Sequence, residues 1–208
     1  YIMTALLDAD AAVEALSKGG VVGLPTDTVY GIAASLQFPQ SVASLFELKR
    51  RPMTVALPIV VSSLLQIEDL VVSWSPRAQV LSDAFWPGAL TIIVAVPEDL
   101  SLLVGSSTGT VGFRSPDDDL LLRILSRSGP LALTSANEHG EPPCQTAAQV
   151  LDVFVDRSEL IGVVDGGVRA KPVSTVVDLS LNAWRLVREG VIGKDDVAVL
   201  LDGKDPKG

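Results

Sequence analysis

Leu24 to Ser35 read LPTDTVYGIAAS. The apolar run VVGLP, Val21 to Pro25, reads as a buried strand, and it delivers Thr26, Asp27, Thr28 and Tyr30 before the chain turns apolar again. Threonine and aspartate build ordinary turns and caps. A strand that ends in a polar cluster is also how open α/β sheets hold binding groups both rigid and accessible. The question is whether other strands end the same way. They do: Thr134, Ser135 and Asn137 follow LAL, and Asp165, Gly166 and Gly167 follow GVV.

Around this stretch, helical and strand patterns alternate. DADAAVEALSKGG carries an acidic start, helix-forming residues and a glycine stop. PQSVASLFELK sets Val42, Leu45 and Phe46 at helical spacing before the apolar run LPIVV. SPRAQVLSDAF starts with a Ser75 cap and Pro76 in its first turn, ahead of the strand LTIIVAV. VGFR reads as a short strand, and DDDLLLRILSRSG as a helix with acids first and arginines last, as the helix dipole favours. The strand PLALTSAN, a helix around TAAQVLDVF, the β-like pieces LIGVVDGG, STVVDLS and AWRLVREG, and a helix near KDDVAVLLDG complete the pattern. It predicts an α/β (α+β) fold with one large twisted sheet.

Composition bounds the function. The 208 residues are 48% hydrophobic with mean hydropathy +0.40, enough for a substantial core in one domain, and no linker signal divides them. No apolar run reaches the ~18 residues of a membrane-spanning helix. The opening YIMTALLDAD lacks the features of a secretory signal and Cys144 has no second cysteine to pair with, so a cytoplasmic location is expected. One histidine, His139, and one cysteine cannot make a zinc site of the usual kind. A net charge of −9 opposes autonomous tight binding of nucleic acid. Neither G-x-x-x-x-G-K-[ST] nor a strand-following G-x-G-x-x-G is present.

Several residues stand out against that background. Lys49 shares a helical face with Val42, Leu45 and Phe46, so its ammonium either snorkels to water or faces a cleft. Arg50 and Arg51 follow it, and three adjacent cations in an acidic chain suit a polyphosphate as well as the carbonyl end of a helix. Arg114 sits at a strand end in GFRSP, and Arg185 and Arg188 fall on opposite faces of an extended RLVREG. Trp74, Trp86 and Trp184 read as packing without aromatic neighbours, and Cys144 has no visible base partner. Ser135 lies outside a G-x-S-x-G elbow, which weakens nucleophilic hydrolase chemistry.

The ordered set PTDTVYGIAA, LKRRP, FWPGALT, VGFRSP, TSAN, VDGG, STVVDL and LVREG resembles the YrdC-like family, the threonylcarbamoyl-AMP synthases, over about residues 10–192. The resemblance implies a single YrdC/RibB-like domain across residues 1–208, with a twisted open mixed sheet, flanked by helices, that lines a concave, positively charged cleft. It implies ATP-dependent conversion of L-threonine and bicarbonate or carbon dioxide to threonylcarbamoyl-AMP, with release of pyrophosphate. That product serves N6-threonylcarbamoylation of adenosine 37 in tRNA, which a separate transferase complex completes.

Residue by residue, the resemblance implies that Thr28, Arg114 and Ser174 hold L-threonine. Lys49 and Arg51 match the family's K-x-R and are implied as the catalytic cations facing the phosphates and the carbonate-derived group. Thr110, Ser135, Asn137 and Arg188 are implied to bind ATP together with Lys49 and Arg51. Mg²⁺ is expected with ATP, with its ligands unassigned. Few side-chain proton transfers are needed, which explains cations in place of a catalytic dyad.

This sequence departs from the family pattern in places. After Arg51-Pro52 it reads MTVALPIVV, with Val55 and Ala56 where a polar residue often precedes Pro-Leu or Gly-Leu. Val60 stands where some members carry a threonine-holding histidine, and SANEHG puts His139 in place of a serine. These positions bear on substrate choice. The extra C-terminal domain of longer relatives is not expected. Two other readings stand beside the synthase. One is an RNA-binding module, since the family is also described as binding double-stranded RNA or tRNA; the charge leaves this as weak tRNA binding. The other is a carbamoyl-group domain of the hydrogenase-maturation type, which would bring acylphosphatase and zinc-finger segments.

Overall fold

A computed structural model describes residues 5–50, 56–138 and 140–203. Its first half runs through β1 (Ala5–Leu7), α1 (Ala9–Ser17), β2 (Val21–Pro25), β3 (Tyr30–Ser35), α2 (Pro39–Lys49), β4 (Ile59–Val60), a 3₁₀ turn (Leu64–Gln66), α3 (Pro76–Phe85) and β5 (Leu90–Ala95). The second half adds α4 (Glu98–Leu103), β6 (Thr110–Arg114), α5 (Asp119–Ser128), β7 (Leu131–Ser135), α6 (Ala147–Val153), β8 (Leu160–Val164), β9 (Thr175–Asp178), β10 (Arg185–Arg188) and α7 (Lys194–Asp202). Local chemistry sets the helix starts. Asp8, Ser75 and Asp118 cap α1, α3 and α5 by accepting the N–H of Ala11, Ala78 and Leu121.

The strands join one ten-stranded mixed sheet in the order β1-β8-β2-β3-β7-β4-β6-β5-β9-β10. Side chains alternate between its two faces. One face carries Val21, Ile32, Ala34, Ile59, Leu90, Ile92, Val94, Val111, Phe113, Ala132 and Val177 against α2, α3, α4, α6 and α7. The other carries Val22, Leu24, Ala33, Val60, Leu131, Leu133 and Val164 against α1 and α5. This second cluster takes none of its buried members from β5, β6 or β9. That half of the face carries Thr91, Thr110, Arg114 and Asp178 beside Ile93 and Val176, with no buried apolar cluster over it, and this asymmetry positions the site.

Three segments add to or differ from the sequence-based expectation. YGIAAS is strand β3, paired antiparallel with β2 from Val22↔Ala33 to Pro25↔Tyr30, so the polar cluster is a hairpin loop. Small residues are needed there: a Cβ on Gly31 would lie 2.8 Å from Leu133 Cδ2 and 2.9 Å from Thr134 O. LPIVV forms only the two-residue β4, because Pro58 has no N–H to give the ladder. Arg185 and Arg188 lie on the same face: a register shift between Leu186 and Arg188 sets them opposite Asp178 and Val176, two residues apart on β9. The extra residue of a bulge reverses the alternation. The tryptophans also acquire a neighbour in space, with Trp74 and Trp86 ring centroids 5.6 Å apart.

Candidate functional site

The β2–β3 loop is closed by Thr26, whose hydroxyl donates to Val29 O at 2.6 Å and accepts the N–H of Thr28 at 3.1 Å. With the turn made, Asp27 and Thr28 reach Arg114 at the end of β6. Arg114 donates through Nη2 to Asp27 Oδ1 at 2.5 Å, through Nε to Gly88 O at 2.9 Å and through Nη1 to Thr28 Oγ1 at 3.5 Å. All three side chains are buried. This is a cation fixed on three sides at the margin of the uncovered half-face.

A second guanidinium stands on the same face. Arg188 grips Ser174, donating from Nε to the carbonyl at 3.0 Å and from Nη2 to Oγ at 3.1 Å. Thr91 Oγ1 lies 3.1 Å from Ser174 Oγ. Burial and then the charge of Arg114 hold Arg188 below its ordinary pKa. A buried guanidinium beside a second positive charge is stabilised by an anion that arrives next to it.

Ser174 is delivered by residues 165–174, which run from β8, second in the sheet, to β9, ninth. Tyr30 pins this crossing: its hydroxyl donates to Gly167 O at 2.8 Å and accepts the Gly166 N–H at 2.9 Å. Burial pushes the Tyr30 phenol up. Arg169 pairs with Asp118 at 2.8 Å, and the Lys171 N–H donates to Thr28 O at 3.0 Å. Tyr30 and the Asp165–Gly167 turn are therefore structural, holding the crossing segment against the hairpin.

The third group is built around Lys49, a residue 4% exposed whose ammonium is turned inward from the end of α2. It donates to Ser135 O at 3.0 Å, Ser135 Oγ at 3.1 Å and Asn137 Oδ1 at 2.5 Å. Arg50 then takes a left-handed backbone, φ 49°, and the chain leaves the helix. The inward stripe predicted a lysine at a cleft or at water, and the structure gives the inward case.

The family model described as Telomere recombination, Sua5/YciO/YrdC, matches residues 14–190. The chain belongs to the Sua5/YciO/YrdC family. A Mycobacterium leprae relative, provisionally named a threonylcarbamoyl-AMP synthase, is 37% identical over 193 residues, which are 92% of this chain and 86% of the relative. The Bacillus subtilis threonylcarbamoyl-AMP synthase is 35% identical over 189 residues, 89% of this chain and 54% of the relative. The structure of Pyrococcus abyssi Sua5 complexed with L-threonine superposes with a TM-score of 0.85 at 29% identity, covering 93% of this chain and 57% of that one. This chain thus spans a little over half the length of the latter two Sua5/YciO/YrdC proteins.

Of the residues expected from the sequence, Thr28 and Arg114 meet directly, Ser174 and Arg188 meet directly, and Lys49 meets Ser135 and Asn137. Thr110 sits apart from these contacts: its hydroxyl pairs with Thr108 at 2.7 Å, although it shares a β6 face with Arg114. Arg51, Val55 and His139 lie outside the described residues. Val60 is buried in the apolar cluster under α1 and α5 and is level with Arg114 in the sheet. In the sequence Asp27 stands out only as part of a polar loop, and Thr91 is one residue of the strand LTIIVAV. A lone hydroxyl in LTIIVAV was the only available signal for the latter. Cys144 is buried, and burial, opposed by Lys49, pushes its thiol up to about 11, in keeping with a non-catalytic cysteine.

Proposed function

We propose that this chain is a threonylcarbamoyl-AMP synthase, acting as one domain on L-threonine, bicarbonate or carbon dioxide, and ATP. The observation that carries the reading is that Arg114, held by Asp27 and Thr28, and Arg188, held by Ser174, stand on the same sheet half-face, which is left without an apolar cover. Arg114, braced by Asp27 and Thr28, suits the carboxylate of L-threonine, with Ser174 beside it. Arg188, Lys49 and Arg51 suit the phosphates, and Thr110, Ser135 and Asn137 suit the nucleotide. Val60 is level with Arg114 in the sheet, which places an apolar side chain beside the proposed threonine pocket.

In this reading the threonine amine captures carbon dioxide as a carbamate. A carbamate oxygen then attacks the α-phosphorus of ATP in line, and pyrophosphate leaves. The protein sets two anions against each other and offsets their repulsion with fixed cations, so proximity and electrostatics do most of the catalysis. Among the described residues no three His, Cys, Asp or Glu side chains gather to hold a metal, so they do not fit a protein-built Mg²⁺ cage. We treat Mg²⁺ as part of the ATP substrate. The product would pass to a separate tRNA-modifying complex in the cytoplasm. No helix among the described residues is long and apolar enough to cross a membrane.

The test is incubation of the purified protein with ATP, Mg²⁺, bicarbonate and L-threonine, with pyrophosphate release and mass detection of the adenylate. Product that needs both threonine and bicarbonate, and is lost in Lys49→Ala and Arg51→Ala, supports the reading. ATP turnover with neither dependence sinks it.

A further inference from the structure

Thr91 and Ser174 carry an unbalanced proton count. Arginine can only donate, so Ser174 Oγ is the acceptor for Arg188 Nη2 at 3.1 Å. The Thr91 and Ser174 hydroxyls, 3.1 Å apart, share one hydrogen bond between them. Two hydroxyls with one shared bond use one O–H on each other and keep one. Among the described residues no acceptor takes that remaining proton, although Thr91 and Ser174 are only 7% and 5% exposed. A buried donor left unmatched costs free energy until something arrives to accept from it.

The backbone decides how Thr91 is turned. β5 and β6 pair Ile93 with Gly112, and a Cβ on Gly112 would lie 2.8 Å from Thr91 Cγ2. The threonine methyl therefore lies over Gly112, its β-branched rotamer is fixed, and Oγ1 points to Ser174. Val176 is level with Thr91 across β9 and Arg188 is level with Val176, so the hydroxyl pair shares the face of both arginines.

We propose that Thr91 is a positioning and specificity-determining residue for the synthase reaction, and the proposal rests on the synthase reading above. Its O–H donates to Ser174 Oγ and fills the second lone pair, Arg188 having filled the first. Ser174 then has only its own proton to offer, and it donates toward the ligand. The atom received there is an acceptor, an oxygen of the amino-acid substrate, and an ammonium or amide N–H at the same point is rejected. Thr91 acts through Ser174.

Two substitutions separate this role from packing. Thr91→Val keeps the β-branch and the methyl over Gly112 but removes the O–H, whereas Thr91→Ser keeps the O–H and loses the methyl. Steady-state kinetics are expected to show the KM for L-threonine rising about tenfold or more in Thr91→Val. Its kcat and its KM for ATP should stay within about twofold, and Thr91→Ser should stay within about threefold of wild type throughout. An unchanged threonine KM in Thr91→Val overturns the proposal. So does equal loss in both variants, or a parallel shift in both KM values with a lowered melting temperature. If wild type forms no threonylcarbamoyl-AMP, the synthase reading has failed, and L-threonine binding by calorimetry decides the Thr91 role separately. A tenfold loss confined to Thr91→Val supports it; equal affinities, or no binding by wild type, overturn it.

Discussion

Arg114 uses three donors inside the protein, on Gly88 O, Asp27 and Thr28, before any ligand arrives. Asp27 is the counter-charge that lets Arg114 stand near Arg188, and the side chains of the Asp27–Arg114 pair are 5% and 11% exposed. Removing one partner of a buried pair strands the other, at about 3–5 kcal/mol. Asp27→Ala is therefore expected to lose about that much in urea unfolding, and Asp27→Asn, which keeps an acceptor for Nη2, to lose less. Equal stability of Asp27→Ala and wild type would mean that Arg114 is satisfied without it. At this scale the sequence was readable where a residue contradicted its surroundings. Lys49 was such a residue, an ammonium ending an apolar stripe. Thr91 was not, because threonine is at home in a strand and only the register with Gly112 and Ser174 gives its hydroxyl meaning.

At the scale of elements, helices were legible because their signals are local. Ser75 with Pro76, and the Asp118 cap with Arg127 in the last turn, mark α3 and α5 without reference to anything distant. Strands were less legible. YGIAAS has the small residues of a tightly packed central strand, not the branched ones that mark strands in sequence, and the β10 bulge exists only relative to β9. Ahead of that bulge Arg185 is level with Asp178 and pairs with it, Nη2–Oδ2 at 3.0 Å. Burial pushes the Asp178 carboxyl up, but the Ser180 hydroxyl and N–H and the Arg185 charge outweigh it, so its net pKa is lowered. A carboxyl lowered on folding contributes stability above its unfolded value of about 3.9, lost as pH falls through the folded value. Asp178→Asn is expected to flatten stability against pH below about 4. An unchanged acid limb in thermal melts would remove Asp178 from that role.

For the whole molecule, the question is how an anion reaches a cationic site in a chain of net charge −9. A chain of this length has a radius of gyration of about 17 Å. The Debye length is about 30 Å at 0.01 M salt and about 10 Å at 0.1 M. At the lower salt an approaching ATP therefore feels the full acidic surface, and at the higher it feels mainly Lys49, Arg114 and Arg188 of the proposed site. Adding salt should first remove repulsion and only later screen attraction. The KM for ATP, at fixed pH and fixed excess Mg²⁺, is expected to fall between about 0.01 and 0.1 M NaCl and to rise again toward 1 M. A rise from the lowest salt upward would mean that the site cations govern the approach at every distance. For RNA the two fields act differently, because a polyanion spans the acidic surface as well as the site. Counter-ion release then predicts binding that only weakens with salt. A fall-then-rise for ATP beside a steady loss for tRNA would mark a site shaped for a small anion inside a surface that repels a large one.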